Sequence, residues 1–375
     1  MAQTQILTHL KFSQKIGAEF DGTLKKRVRN YFKEKNISKH ANFSMVLKSI
    51  LLISIYLVPF VLMLTGVIQN PWIMLGCWII MGVGMAGIGM GVMHDANHGA
   101  YSKNERINKF IGKIIIIVGG FAANWKIQHN ILHHSYTNIE GFDEDIDAPA
   151  GLLRFSPNSE LKKAHRFQHF YAWFFYSLLT LSWMTNKDFQ QLARYKKMGL
   201  TETQNKKFWP LLIELIFDKL IYYGLIVALP IIFISAPWWL TVIFIIIMHA
   251  VAGLILSTIF QLAHVVPDME FPMAEVDHTV DNNWAIHQLQ TTSNFAPKNW
   301  LLSWYVGGLN FQVEHHLFPN ICHVHYKKLS AIVKQTADEF GIPYYSTPSF
   351  WRALSGHVNM LKKLGRPEMV PAVSS

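Results

Sequence analysis

Residues 49–93 and 220–267 contain no Asp, Glu, Lys or Arg. No other feature limits the fold as much. In hydrocarbon the backbone must satisfy its own hydrogen bonds, and a helix does so within one segment. One crossing takes about 20 apolar residues, so each run has the length of two helices and a tight turn. Gln69-Asn70-Pro71 and Ser235-Ala236-Pro237 mark the turns, flanked by Trp72, Trp238 and Trp239, which suit a membrane–water boundary. The sequence predicts an all-α integral membrane fold of two transmembrane hairpins, with four crossings at about 49–68, 73–93, 220–234 and 238–262.

Charge elsewhere sets the expected orientation. Lys25, Lys26, Arg27, Arg29, Lys33, Lys35 and Lys39 precede the first hairpin, and neither turn carries Lys or Arg. The positive-inside rule then places the amino terminus, the middle segment and the tail in the cytoplasm. The apolar stretches 107–123 and 169–185 are expected as interfacial helices, because the basic loop after the second would otherwise lie outside. Three parts result: a basic segment 1–44, a membrane domain 45–335 and a cytoplasmic tail 336–375, with amphipathic helices over 326–340 and 350–364. The first 44 residues lack an apolar core, so no cleavable signal peptide is expected. In a bacterium the chain would sit in the inner membrane.

Composition narrows the function. Only 15% of residues are charged, against about 25% in soluble domains. The net charge of +10 flanks the apolar segments, which fits anionic headgroups or an acidic partner better than nucleic acid. The two cysteines, Cys77 and Cys322, make neither a disulfide framework nor a thiolate metal site. Gly82-Val83-Gly84-Met85-Ala86-Gly87 matches the spacing of a dinucleotide fingerprint. It lies inside an apolar helix with no preceding strand, where small residues serve helix packing instead.

Eighteen histidines remain to be explained. His94 and His98 stand at i, i+4, on one helix face. His129 and His133 repeat that spacing, while His134 should point about 100° away from His133. Gln312, His315 and His316 converge at i, i+3, i+4, and Asn283 with His287 repeats i, i+4 with an amide in one place. One such pair is equally well a polar cap. Three spaced clusters on one predicted side point to metal. Imidazole-rich sites suit iron, copper, zinc or nickel, and eight histidines are too many for one ion. Asp95, Asp143, Glu144, Asp145, Asp147 and Glu314 are placed to hold ring N–H groups; the alternative for 143–147 is a solvated acidic loop. His264, His278, His323 and His325 are candidate outer donors, and His165 and His169 could line the second interfacial helix. His249 should be paired inside the membrane, and His9, His40 and His357 are expected in solvent.

His94-x3-His98, His129-x3-His133-His134 and Gln312-x2-His315-His316 resemble the three histidine boxes of membrane fatty acid desaturases. Gly-Gly-Leu-Asn-Phe-Gln-Val-Glu-His-His-Leu-Phe-Pro (307–319) and Asp-Ala-Asn-His-Gly (95–99) resemble the front-end (delta-5/delta-6, linoleoyl-CoA-desaturase-like) group in particular. The resemblance covers about 45–335. It implies an O2-dependent enzyme with two irons that inserts a cis double bond between an existing one and the carboxyl end of a lipid acyl chain. One iron would be held by His94, His98, His129, His134 and His315. The other would be held by His133, His287, Gln312 and His316, with Asn283 direct or through water. The acyl group would be carried on a membrane lipid, coenzyme A or a carrier protein. The chain lacks the His-Pro-Gly-Gly haem motif of fused members, so electrons are expected from a separate ferredoxin or cytochrome b5. A hydroxylase of the same superfamily would share every ligand. A metal transporter or a bis-histidine haem carrier would instead place its histidines within the membrane, where only His249 lies.

Overall fold

The computed structural model describes residues 10–13, 17–147, 151–275, 279–280 and 282–367; His9 and His278 lie outside them. Contacts divide the chain into two compact units.

The first unit comprises residues 41–127 and 173–258 among those described. It contains α2 (Phe43–Leu64), α3 (Pro71–Asn97), α4 (Glu105–Gly112), and most of α9 (Phe208–Phe233) and α10 (Trp238–His264). Of these, α2, α3, α9 and α10 are the helices long and apolar enough to cross a membrane. Their outer faces keep side chains such as Leu47, Ile50, Val58, Ile80, Ile213, Leu220 and Ile243 exposed, as lipid contact requires. Asn42 and Asn70 cap α2 and α3 by accepting from Met45 N and Trp72 N, and Pro71 opens α3. The glycine motif packs helices as expected. A Cβ at Gly82 would stand 2.6 Å from the Met248 carbonyl oxygen, and one at Gly84 3.0 Å from Tyr56 N. His249 is buried, bonded through Nε2 to the Tyr222 hydroxyl and through Nδ1 to Thr180 Oγ1 at 3.0 Å.

Two expectations are corrected in this unit. The helix that holds the third expected crossing starts at Phe208, ahead of the expected start at about 220. Its charged residues are accommodated: the buried Lys219 amine donates to Asp188 Oδ2 at 2.6 Å, to Gly119 O at 2.7 Å and to Trp183 O. Nor is 107–123 one helix. Residues Glu105–Val118 and Ala122–Tyr136 (α5) meet at 105°. The chain breaks at Gly119, whose φ of 84° is open to glycine but costly for other residues.

The second unit comprises 10–40, 128–172 and 259–367 among the described residues. It includes α1 (Ala18–Lys35), the end of α5, the start of α6 (Gln168–Ser177), and the end of α10. The other stretch expected as interfacial, 169–185, is broken at Leu178 between α6 and α7 (Leu179–Met184), whose residues belong to the first unit with α8 (Lys187–Lys197).

The second unit continues with α11 (Trp284–Thr291), α12 (Trp300–Tyr305), α13 (Gln312–Leu317), α14 (Tyr326–Glu339) and α15 (Phe350–Leu364). Helix α14 runs through position 335, where the membrane domain was expected to end. Phe20, Leu24 and Val28 of α1 share a core with Leu329, Val333 and Ala337 of α14 and Val313 of α13. Two-residue parallel pairs join Lys11–Phe12 (β1) to Thr279–Val280 (β2) and Asn294–Phe295 (β3) to Ser346–Thr347 (β4). His357 is fully buried rather than solvated, with Nδ1 2.8 Å from the Val265 carbonyl oxygen. His165 is also buried: its Nδ1 accepts from Lys162 N and its Nε2 lies 2.9 Å from Gly151 O.

Candidate metal centre

The second histidine group sits on a π-helical stretch, Lys126–His133. Bonding from i to i+5 widens the turn, so residue i+5 comes back over residue i. His134 therefore joins His129 rather than pointing away from it. Its Nε2 lies 3.3 Å from His129 Nε2 and 3.0 Å from Nε2 of His315 on α13. Two nitrogens bound at right angles to one ion, each about 2.1 Å from it, stand about 3 Å apart. His134 has about that spacing to each of the other two rings.

A second convergence lies beside the first. Ligand-capable atoms of His133, His264 and His316 all fall within 4.8 Å of one another. The opposite nitrogen of each ring is already held. His133 Nδ1 stands 3.1 and 3.0 Å from the two Asp143 oxygens. His316 Nδ1 is 2.8 Å from Gln288 Oε1, and His264 Nδ1 is 3.2 Å from Thr291 O. In the first group, His315 Nδ1 faces the Tyr326 hydroxyl at 3.2 Å. Partners of this kind fix the tautomer and aim Nε2 at an ion. Among the described residues, His133 Nε2, His264 Nε2, His287 Nε2 and Gln312 Oε1 are buried with no hydrogen-bond partner. Leaving such atoms unmet costs about 1–3 kcal/mol each, and a metal would satisfy them. The residues fit a metal pair.

The acidic loop serves the imidazoles rather than solvent. Asp143 is buried and also accepts from Asn138 N and Asp145 N, both at 2.9 Å. Asp145 Oδ2 lies 3.6 Å from His133 Nδ1 and 3.7 Å from His129 Nδ1, and Asp145 also accepts from Gln128. Burial lowers the proton affinity of His133, but the charge and hydrogen bond of Asp143 outweigh this, leaving its pKa above the ordinary histidine value. Desolvation pushes His287 down to about 4, so that imidazole is neutral.

In the first unit, His94 and His98 end α3 after a π-turn at Gly89–Met93. Their rings are 4.7 Å apart, both set edge-on against Trp125, and Asp95 Oδ1 lies 3.7 Å from His94 Nδ1.

Further positions bear on the expected ligand set. His264, expected as an outer donor, stands among the convergent rings, whereas His287 joins none of the groups. Asn283 caps α11, its side chain accepting from Ala285 N. Glu314 turns to Asn294 and Tyr344, at 2.8 and 3.0 Å, instead of to an imidazole. Desolvation raises its pKa to about 8, against the opposing effect of those hydrogen bonds.

Comparison with known proteins adds independent findings. Residues 70–348 match the family model "Fatty acid desaturase". The chain is 36% identical over 360 residues to an sn-1 linoleoyl-lipid 6-desaturase of Synechocystis sp., covering 95% of this chain and 98% of that protein. A protein of the same description from Arthrospira platensis is 36% identical over 365 residues, 96% of each chain. An acyl-lipid (8-3)-desaturase of Physcomitrium patens is 32% identical over 364 residues, 96% of this chain and 74% of that one.

Proposed function

The chain belongs to the fatty acid desaturase family, and from that premise we propose that it is a front-end acyl-lipid desaturase with two irons. That it is a membrane oxidoreductase introducing a double bond into a fatty acyl chain follows from the family. The finer reading is that the new cis bond lies between an existing double bond and the carboxyl end, on an acyl chain esterified in a membrane lipid. The relatives described as linoleoyl-lipid 6-desaturases support it.

The observation that carries the metal assignment is the close approach of the Nε2 atoms of His129, His134 and His315. In the proposed ligand set these three hold one iron, and His94 and His98 keep the ligand role that the histidine-box resemblance implies. His133, His264 and His316 hold the other, with the unmet Gln312 Oε1 nearby or bound through water. His264 takes the place expected for His287. The irons supply O2 activation and the removal of hydrogen from an unactivated methylene pair.

The protein's own part is orientation. Asp143 keeps the His133 proton on Nδ1, Gln288 Oε1 does the same for His316, and the Thr291 carbonyl does so for His264. Each leaves Nε2 as a lone pair. Asp143 and Asp145 also place negative charge beside otherwise neutral ligands. We place the centre on the cytoplasmic side, where the positive-inside reading puts the histidine groups. Electrons come from a separate protein.

The test is gas chromatography–mass spectrometry of fatty acids from a host expressing the chain with a competent electron donor and fed linoleate. A His315→Ala, His316→Ala variant is the control. The expected result is a trienoic product two mass units lighter than linoleate, with the new bond on the carboxyl side and absent from the control. A product sixteen units heavier would replace desaturation by hydroxylation.

A further inference from the structure

Helices α1 and α14 lie antiparallel. Arg27 of α1 donates to Thr336 and Glu339 near the end of α14, and Phe32 packs against His325 just before its start. Charge is distributed unevenly along this pair. At one end it is matched: Lys25 with Asp21, Arg27 with Glu339, Lys334 with Asp338. Lys26 beside those pairs and, toward the other end, Arg29, Lys33 and Lys35 of α1 and Lys327 and Lys328 of α14 are exposed. Among the described residues none of these six makes an ion pair, and the one acid interspersed with them is Glu34. The hydrogen bond from Cys322 N to Lys39 O holds the chain after α1 against the start of α14.

Lys327 and Lys328 directly follow Tyr326, which is buried and whose hydroxyl lies 3.2 Å from His315 Nδ1. One tyrosine side chain therefore lies between the backbone of this cationic end and a proposed iron ligand. From this juxtaposition we propose that the exposed end of the α1–α14 pair is the docking surface for a small acidic one-electron carrier protein.

The proposal rests on the di-iron reading and names the partner of that site. The electron balance requires two external electrons, which such a partner would supply. O2, two hydrogens from the acyl chain, two protons and two electrons give the alkene and two waters, and each docked carrier gives up one electron and leaves oxidised. A lipid surface is the competing occupant of a basic patch. Helices that bind lipid bury Trp, Phe or Leu beside their cations. Within α1 and α14 no large apolar side chain is exposed; next to them Phe340, past the opposite end of α14, and Ile37, two residues past α1, are. A cationic surface whose two helices expose no Trp, Phe or Leu suits encounter with an acidic protein, whose association such charge accelerates by about 10–1,000-fold.

The test uses the full chain in nanodiscs of neutral lipid. Reduced plant-type ferredoxin and the soluble haem domain of cytochrome b5 are titrated in parallel by microscale thermophoresis at low and high salt. The expected result is that Lys33→Glu/Lys327→Glu/Lys328→Glu weakens binding of at least one carrier by about tenfold or more at low salt, the difference closing near 0.5 M as screening shortens. Lys197→Glu/Lys207→Glu, the control elsewhere, should bind as wild type. Equal binding by the triple variant, equal loss in the control, or no salt-sensitive binding by wild type would overturn the proposal. So would unchanged carrier binding with weaker association to bilayers containing phosphatidylserine. Product formation at saturating carrier, measured on the same samples, reports the desaturase reading separately: its failure there is a failure of that reading, whatever the affinities show.

Discussion

Asp143→Asn should loosen iron before it alters anything else at the site. Both Asp143 oxygens face His133 Nδ1, and the same oxygens accept Asn138 N and Asp145 N at 2.9 Å. Replacing one oxygen by an amide NH2 removes the charge that makes His133 a stronger ligand. Loss of such a partner typically lowers metal affinity by about 10–100-fold. The substitution also leaves one of the two backbone N–H groups facing a donor. That group is buried, so the fold should lose about 1–3 kcal/mol. The two effects separate by assay. Iron per chain is measured by mass spectrometry after dialysis against graded chelator, and stability by thermal unfolding of the metal-stripped protein. Glu160→Gln, an exposed carboxylate of equal charge, should change neither. If Asp143→Asn keeps iron as tightly as wild type while its unfolding temperature drops, Asp143 only shapes the loop and the reasoning about His133 is refuted.

His264→Ala should purify with about one iron per chain and His287→Ala with about two, the difference resting on one lost imidazole of a three-ring set; equal iron contents would return His287 to the ligand list. Lys219→Met strands Asp188 in the first unit and should cost about 3–5 kcal/mol, whereas Lys219→Met/Asp188→Leu should regain most of it; a double variant as unstable as the single one would contradict this in a detergent-solubilised thermal assay. Gly82→Leu pushes atoms onto the Met248 carbonyl oxygen and should destabilise by about 1–3 kcal/mol, with unchanged stability ruling out tight α3–α10 packing. For His357, desolvation lowers the pKa to about 4, partly countered by its hydrogen bond to Val265 O. Its neutral form therefore stabilises the fold above pH 6.5, and that contribution, about 3 kcal/mol, is lost as pH falls from 6.5 through 4. His357→Asn can keep a donor near Val265 O and should flatten the decline of unfolding temperature over that window. Parallel decline in both proteins would assign the pH dependence to other groups.

The features that sequence revealed correctly are those written in local periodicity. Charge-free runs located the hairpins, and amphipathic spacing located α14 and α15 to within a residue. The start of α9 escaped because Glu214, Asp218 and Lys219 look like an exit from the membrane. Only the structure shows Lys219 spending its charge on Asp188 and two carbonyls. Helical phase alone also missed the relation of His134 to His129, which only the family resemblance implied. A periodicity of 100° assumes an α-helix, and the π-helical Lys126–His133 turns less per residue.

His264 and His287 show the deeper limit. Asn283 and His287 drew attention because two polar side chains at i, i+4 share a helix face; the Asn283 side chain caps α11, and His287 Nε2 is buried and unmet. His264 ends the 27-residue apolar helix α10. Its nearest polar neighbour in helical phase, Gln261, reaches the Asp145 carbonyl at 3.4 Å, and no second imidazole lies one turn away to signal a ligand pair. A ligand contributed singly by the end of a long helix carries no local pattern. What identifies it is that Thr291 O occupies Nδ1 while Nε2 is buried, unmet and beside two other rings. That is a property of three segments far apart in sequence, so it becomes legible only when their coordinates are compared.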